Sequence, residues 1–373
     1  MSFEMDSLQR ILRKRMMNSR ILFFVILAGL FTAGCNQSSN PVGPYNPVVW
    51  TLQQMQVLRV PGVCASGEVL IAGAYRNFTS SVFICRSTDN GSTWQVTDSI
   101  SVSNHSPDQN LWGIPSISFL VQGSLILVGI GGGMERGDIL ISSDGGLSWS
   151  DNGVYWPESG NNLTENINCF CALGSYFFAG TNNGVFLSSD NGKSWTAAKS
   201  GPPYQVMRLA TMGPYLFAGT TGEGIYISSD YGASWTTVTG ASVKDIYGLA
   251  SIGSILFAGE SFREGAFRST DMGASWTPID SGLTNLSINT LVSSRTSLYA
   301  GTNAGAFLST NQGSEWNFIS SGLPTDSNAV LSIAINSSSL VLGTSSGTII
   351  YPLSNLSPAN IDTLSMFHKR MGE

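Results

Sequence analysis

The stretch SSDNGKSW, residues 188–195, fits neither regular secondary structure. It holds too many turn formers for a strand and too few charges for a disordered tail, yet it ends on a tryptophan, Trp195. The arrangement recurs as STDNGSTW at 87–94, SSDGGLSW at 142–149, SSDYGASW at 228–235, STDMGASW at 269–276 and STNQGSEW at 309–316. An octapeptide repeated in this way belongs to the scaffold rather than to a single active site.

Its tryptophans, Trp94, Trp149, Trp195, Trp235, Trp276 and Trp316, are 55, 46, 40, 41 and 40 residues apart. Periods of 40–50 residues with strand-like content point to a propeller or a solenoid. Around Trp195 the order is INCFCAL, SYFFAGT, GVFLSSD, the octapeptide turn and SWTAAKS. The next units repeat it as VMRLATM, PYLFAGT, GIYISSD and SWTTVTG, then as IYGLASI, SILFAGE, GAFRSTD and SWTPIDS. Each is a four-stranded meander of the kind that builds a propeller blade. After the sixth turn come VLSIAIN, SLVLGTS and GTIIYPL, three strands with no turn octapeptide and no Trp-led fourth strand. The segment VVWTLQQM at 48–55 carries Trp50-Thr51, which matches Trp195-Thr196, Trp235-Thr236 and Trp276-Thr277. The expected fold is therefore all-β, a seven-bladed β-propeller of four-stranded antiparallel blades. An N-terminal strand joining the last blade would close it and remove an exposed edge.

The turn's chemistry follows from its residues. Asp89, Asp144, Asp190, Asp230 and Asp271 can accept bonds from neighbouring amides, as can Asn311 in the sixth copy. Gly192 supplies a backbone conformation that other residues avoid. Ser188 and Ser194 tie the two arms, and the indole covers the strands beside it. Each turn has at most one conserved-position carboxylate, too few for calcium, so no metal or other cofactor is expected. The pattern S/T-x-D-x-G-x-S/T-W resembles the Asp-box, or BNR repeat, of sialidases, xyloglucanases, sortilin-type receptors and photosystem II stability/assembly factors.

Charged residues make up only 11% of the 373, against about a quarter in ordinary domains, while Gly reaches 42 copies. That profile suits short strands and tight turns. It lacks the clustered Lys and Arg that nucleic-acid binding requires. Arg10, Arg13, Lys14, Arg15 and Arg20 precede a 13-residue apolar run, 21–33, too short to span a bilayer and of the length of a signal-peptide core. The run ends in FTAGC, 31–35, which resembles the bacterial lipoprotein lipobox. The resemblance implies a signal peptide over 1–34 and a diacylated Cys35 that attaches the protein to a membrane of the cell envelope. A polar tether would cover 35–47, the propeller 48–355 and a tail 356–373. Removing residues 1–34 takes away five of 18 basic and two of 24 acidic residues and leaves a net charge of −9, so attachment would rest on the lipid. Cys64, Cys85, Cys169 and Cys171 have no zinc-type spacing and read as buried free thiols.

In such a blade the octapeptide turn shares a face with the loop between the first two strands. The opposite face carries the loops between strands two and three and the blade-to-blade connections. Its long loops, 74–82, 97–113, 129–138, 151–166 and 259–266, are where binding is expected on a rigid ring. They carry Arg76, His105, Trp112, Glu135, Arg136, Tyr155, Trp156 and Glu158, and later Glu260, Arg263 and Glu264. Trp112 and Trp156 stand out because an exposed indole is costly unless it packs or binds.

Residues 59–94 resemble the opening of a bacterial sialidase, in which an arginine before Ile-Pro pairs with the sialate carboxylate. Arg59-Val60-Pro61 fits that motif, and Arg76 matches a second family arginine. The acid Asp expected after it is replaced by Asn77-Phe78-Thr79-Ser80-Ser81, and Arg208, Arg263, Arg268 and Arg295 lie outside recognisable motifs. Over residues 20–353 the chain is similar to the photosystem II assembly-factor-like group. That resemblance implies a monomeric, non-catalytic, lipid-anchored propeller that grips an envelope protein or carbohydrate. A sialidase-like glycoside hydrolase using Arg59 and Arg76 is the alternative.

Overall fold

The computed structural model describes residues 49–51, 58–75, 81–101, 116–131, 138–151, 166–198, 200–238, 243–262, 264–320 and 329–356. They form seven antiparallel sheets, the blades of a β-propeller. The inner strands are Arg59–Ser66, Ser116–Gln122, Ile167–Leu173, Val206–Met212, Ile246–Ile252, Ile288–Ser294 and Val330–Ile335. From each, the chain meanders outward through hairpins.

The core lies between the blades. The second strands are almost wholly buried, as in Tyr215–Thr220 and Ile255–Glu260, because apolar side chains meet a neighbouring blade on both faces. One apolar cluster fills each junction. Leu127 and Ile139 of blade two meet Phe177 and Trp195 of blade three, and Phe217 of blade four meets Ile246 and Phe267 of blade five. The Gly of each A-G-T stretch permits this approach: a Cβ on Gly219 would lie 2.4 Å from Ile246 Cγ2 of the next blade.

The octapeptide turns are built as their residues require. Asp190 Oδ1 accepts from the Ser188 hydroxyl at 2.8 Å and from the Ser194 amide at 2.9 Å, and Oδ2 accepts from the Ser194 hydroxyl at 2.6 Å. The Gly192 amide donates to Ser188 Oγ at 2.9 Å. Two successive residues, Asn191 and Gly192, are left-handed, with φ of 62° and 84°. In blades four and five the hydroxyls of Ser234 and Ser275, followed by their amides, hold the Asp230 and Asp271 carboxyls down at about 2. In the sixth turn Asn311 Oδ1 accepts from Ser309 Oγ and the Glu315 amide, each at 2.9 Å. Glu315 stands where the other copies have Ser or Thr, so no hydroxyl is there to seek a second carboxylate oxygen. An Asp at 311 would also face the charge of Glu315.

Ring closure differs from the expectation. Val49–Thr51 does not join the last blade. It pairs antiparallel with Thr93–Ser101 of blade one, with Trp50 opposite Trp94 and Thr51 opposite Thr93. Blade one thus has five strands, the seventh sheet has three, Val330–Ile335, Ser339–Thr344 and Gly347–Pro352, and the other five have four each. The physical reason is edge length. The outer strand of the last sheet, Gly347–Pro352, spans six residues, whereas Thr93–Ser101 of blade one spans nine and offers the longer edge. Packing closes the ring instead: Leu70, Ala72 and Trp94 of blade one share a cluster with Ala334 and Val341 of blade seven. Asn90 Nδ2 donates to Ser338 Oγ at 3.2 Å across the same junction, and the Ser337 hydroxyl donates to Glu68. The last strand runs into a single 3-10 turn, Leu353–Leu356, whose Leu356 packs into the core. The expected signal peptide, Cys35 and tether, and the tail beyond 356, lie outside the described residues.

Candidate binding site at the ring axis

Six of the seven inner strands, all but that of blade five, line a cavity of about 200 Å³. The residue of each inner strand paired with the glycine of the adjacent strand approaches the ring axis: Gly62, Ser118, Cys169, Arg208, Gly248, Thr290 and Ser332. All but Gly248 line the cavity. In blades three to seven a β-bulge immediately precedes this position, as at Met207 before Arg208, and such bulges re-aim side chains.

Arg208 is the single long cationic side chain of that layer. Its Nη1 donates to the Met207 carbonyl at 2.7 Å and its Nη2 to the Asn289 carbonyl at 2.8 Å, reaching from blade four to blade six. Burial pushes its pKa down, and Cys169 and Tyr247 beside it act the other way. Neither neighbour carries charge at neutral pH. Burial pushes the Cys169 thiol up to about 12, and burial together with Asp245 raises the Tyr247 phenol. The four described cysteines are free; Cys64, Cys85 and Cys169 are buried as expected, whereas Cys171 is only half-buried.

Tyr247 leads from the axis to the loop face. Its ring meets Phe262 edge-on, with centroids 6.4 Å apart, and Phe262 is 68% exposed. On the neighbouring blade Tyr204, 38% exposed, lies 6.5 Å from Tyr226. Tyr204 precedes an inner strand and Phe262 follows a second strand, which places both on the face opposite the octapeptide turns. Sequence reading named Arg208 only as an arginine outside recognisable motifs, and it missed these aromatic pairs. The visible signal was the long cation at the third residue of one inner strand, Val206–Met212, where the matching positions of the other inner strands carry small residues.

Of the loop-face candidates Glu260 and Glu264 are described, as is Arg59 of the sialidase-like alternative. Glu260 is 3% exposed, and its carboxylate accepts from the Lys244 amide, so it braces the blade connection and is not an open ligand contact. Burial raises its pKa despite that bond. Glu264 is exposed beside it. Arg59 begins the inner strand of blade one beside the Tyr75 phenol, whose pKa is raised by burial and pulled back by the guanidinium. Arg268 and Arg295 lie toward the opposite face, Arg295 on the exposed turn between the first two strands of blade six. They do not join Arg59. Arg76, His105, Trp112, Glu135, Arg136, Tyr155, Trp156, Glu158 and Arg263 lie outside the described residues. Among the described residues no cluster of His, Cys, Asp or Glu is arranged to hold a metal.

Comparison with solved structures finds the same fold in distant chains. YCF48 bound to a D1 peptide superposes with a TM-score of 0.60 at 16% identity, covering 84% of this chain and 99% of that one. YCF48 from Cyanidioschyzon merolae gives 0.59 at 13% identity, covering 82% and 99%. The GH74 xyloglucanase from Xanthomonas campestris gives 0.55 at 14% identity, covering 82% of this chain and 53% of the enzyme. No protein-family model and no curated protein matches the chain. At these identities the likeness is one of fold: the chain is a seven-bladed β-propeller similar in architecture to YCF48 and to the GH74 xyloglucanase.

Proposed function

We propose that this protein is a non-catalytic binding platform, held by a lipid on Cys35 to a bacterial envelope membrane, that grips an envelope protein or carbohydrate on its loop face. The observation that carries this reading is the contact of exposed Tyr204 with half-buried Tyr226 and of exposed Phe262 with half-buried Tyr247, itself beside Arg208, on the face turned away from the hairpin turns. Aromatic faces beside a buried cation supply contact area and orientation together. The likeness to YCF48, which was solved with a peptide bound, supports a peptide-sized partner. The test is affinity capture from envelope extracts with the wild type and with Tyr204→Ser/Phe262→Ser. A partner retained by the wild type and lost by the double variant supports the platform, and equal retention refutes it.

The second reading is a sialidase-like hydrolase, favoured by the Arg59 guanidinium beside the Tyr75 phenol. Hydrolysis of a fluorogenic sialoside that disappears in Arg59→Ala would establish it in place of the platform.

A further inference from the structure

In blades three to six one main-chain bond pins the fourth strand to the third. The Ala198, Val238, Ile279 and Ile319 amides donate to the Val185, Ile225, Ala266 and Ala306 carbonyls at 2.8–3.0 Å. Each acceptor directly follows a glycine at the head of its third strand, Gly184, Gly224, Gly265 or Gly305, and each donor lies fourteen positions after that glycine. In blades five and six a side chain then satisfies the edge amide. Asp280 Oδ1 accepts from the Ala266 amide and Ser320 Oγ from the Ala306 amide, each at 2.8 Å.

Blade seven repeats this frame up to the fourth strand. Gly347 heads its third strand, Gly347–Pro352, whose outer edge has no strand partner among the described residues. The 3-10 turn Leu353–Leu356 stands at the same distance from Gly347 as Asn311–Ser314 of the sixth octapeptide turn from Gly305. Its Leu356 packs between blades six and seven, as Trp195 packs between blades two and three. The edge itself, GTIIYP, carries no charge, and such an edge is a template for a further strand.

The sequence that follows offers that strand in register. Fourteen positions after Gly347 stands Ile361, and residues 357–363, outside the described set, read SPANIDT against SWTPIDS at 275–281. Ile361 and Asp362 thus match Ile279 and Asp280 with no insertion or deletion after the glycine. Pro358 replaces the tryptophan, at the start of an edge strand, where proline is tolerated. We propose that residues 359–362 of this chain are the fourth strand of blade seven. The Ile361 amide donates to the Thr348 carbonyl, and the Asp362 carboxylate accepts from the Thr348 amide. The propeller then extends through Asp362, and its last edge is taken by the chain itself. This completion does not depend on the partner assigned to the loop face.

Cross-linking in the purified full chain tests the register. Phe267 lies opposite Pro278 and Phe307 opposite Phe318, an offset that sets Ile349 opposite Asn360. Ile349→Cys/Asn360→Cys should form an intramolecular disulfide on mild oxidation, identified by peptide mass spectrometry of the monomer fraction. Ile349→Cys/Thr363→Cys, three residues out of register, should not. A bridge in neither variant or equally in both would overturn the proposal, as would one confined to dimers, which would give the edge to a second copy. Amide hydrogen exchange of the unsubstituted chain keeps the test decisive if the cysteine pair does not fold. The Ile361 amide should exchange at least about a hundredfold more slowly than in an unstructured peptide. Exchange at the free-peptide rate would overturn the strand. Asp362→Ala should speed exchange of the Thr348 amide about tenfold, and an unchanged rate would overturn the Asp362 pairing.

Discussion

Gly192 of blade three rests against Leu127 of blade two so closely that a Cβ at 192 would lie 2.4 Å from Leu127 Cδ2. The same relationship holds between Gly232 and Phe178, Gly313 and Ile279, and Gly91 and Ile350. Each octapeptide turn therefore locks its own hairpin and also sets the spacing to the preceding blade. Trp316 does this directly, donating its indole N–H to the Ile279 carbonyl of the preceding blade at 2.7 Å. Gly192→Ala combines this clash with a strained φ and should cost roughly 2–3 kcal/mol in denaturant unfolding.

Gly145, one residue earlier in the second turn, is also left-handed, at φ 70°, but a Cβ there meets nothing within 4 Å. The aligned residues Asn90 and Asn191 adopt the same conformation. Gly145→Asn should therefore stabilise the protein by about 0.5 kcal/mol, through the unfolded chain, in the same unfolding measurement.

Acid sensitivity follows from the turn carboxylates. Hydrogen bonds from Ser234 and Ser275 hold the folded Asp230 and Asp271 carboxyls down at about 2, below the ordinary 3.8 of an aspartate. A depressed folded pKa gives stability that is present above the unfolded pKa and is lost as pH falls through the folded one. Unfolding midpoints should thus decline between about pH 4 and pH 2, with a shallower decline in Asp230→Asn, which keeps an acceptor but no titrating group.

Much of the fold was legible because the repeat displays it. Six copies of one turn and the unit order around Trp195 define the blades. Ring closure was not legible, because Trp50-Thr51 resembles any fourth strand and a two-residue match does not choose between two free edges. Arg208 was set aside because its importance lies in where the bulge at Met207 aims it and in a carbonyl of blade six, distant in sequence. Glu260 looked like an exposed loop acid, and only the fold reveals the Lys244 amide that holds it.

If packing closes the ring, removing residues through Thr51 should cost less than about 1 kcal/mol. Leu70→Ala, in the junction between blades seven and one, should cost about 3 kcal/mol. Thermal unfolding of the two variants separates closure by packing from closure by a shared strand.

The most direct test of the platform compares both faces in one partner-capture experiment. Leu147, 54% exposed in an octapeptide turn, serves as the control on the opposite face. Quantitative capture from envelope extracts should show one partner retained by the wild type and by Leu147→Ser and lost from Tyr204→Ser/Phe262→Ser. Loss of that partner in Leu147→Ser with retention in the double variant would contradict the assignment of binding to the loop face.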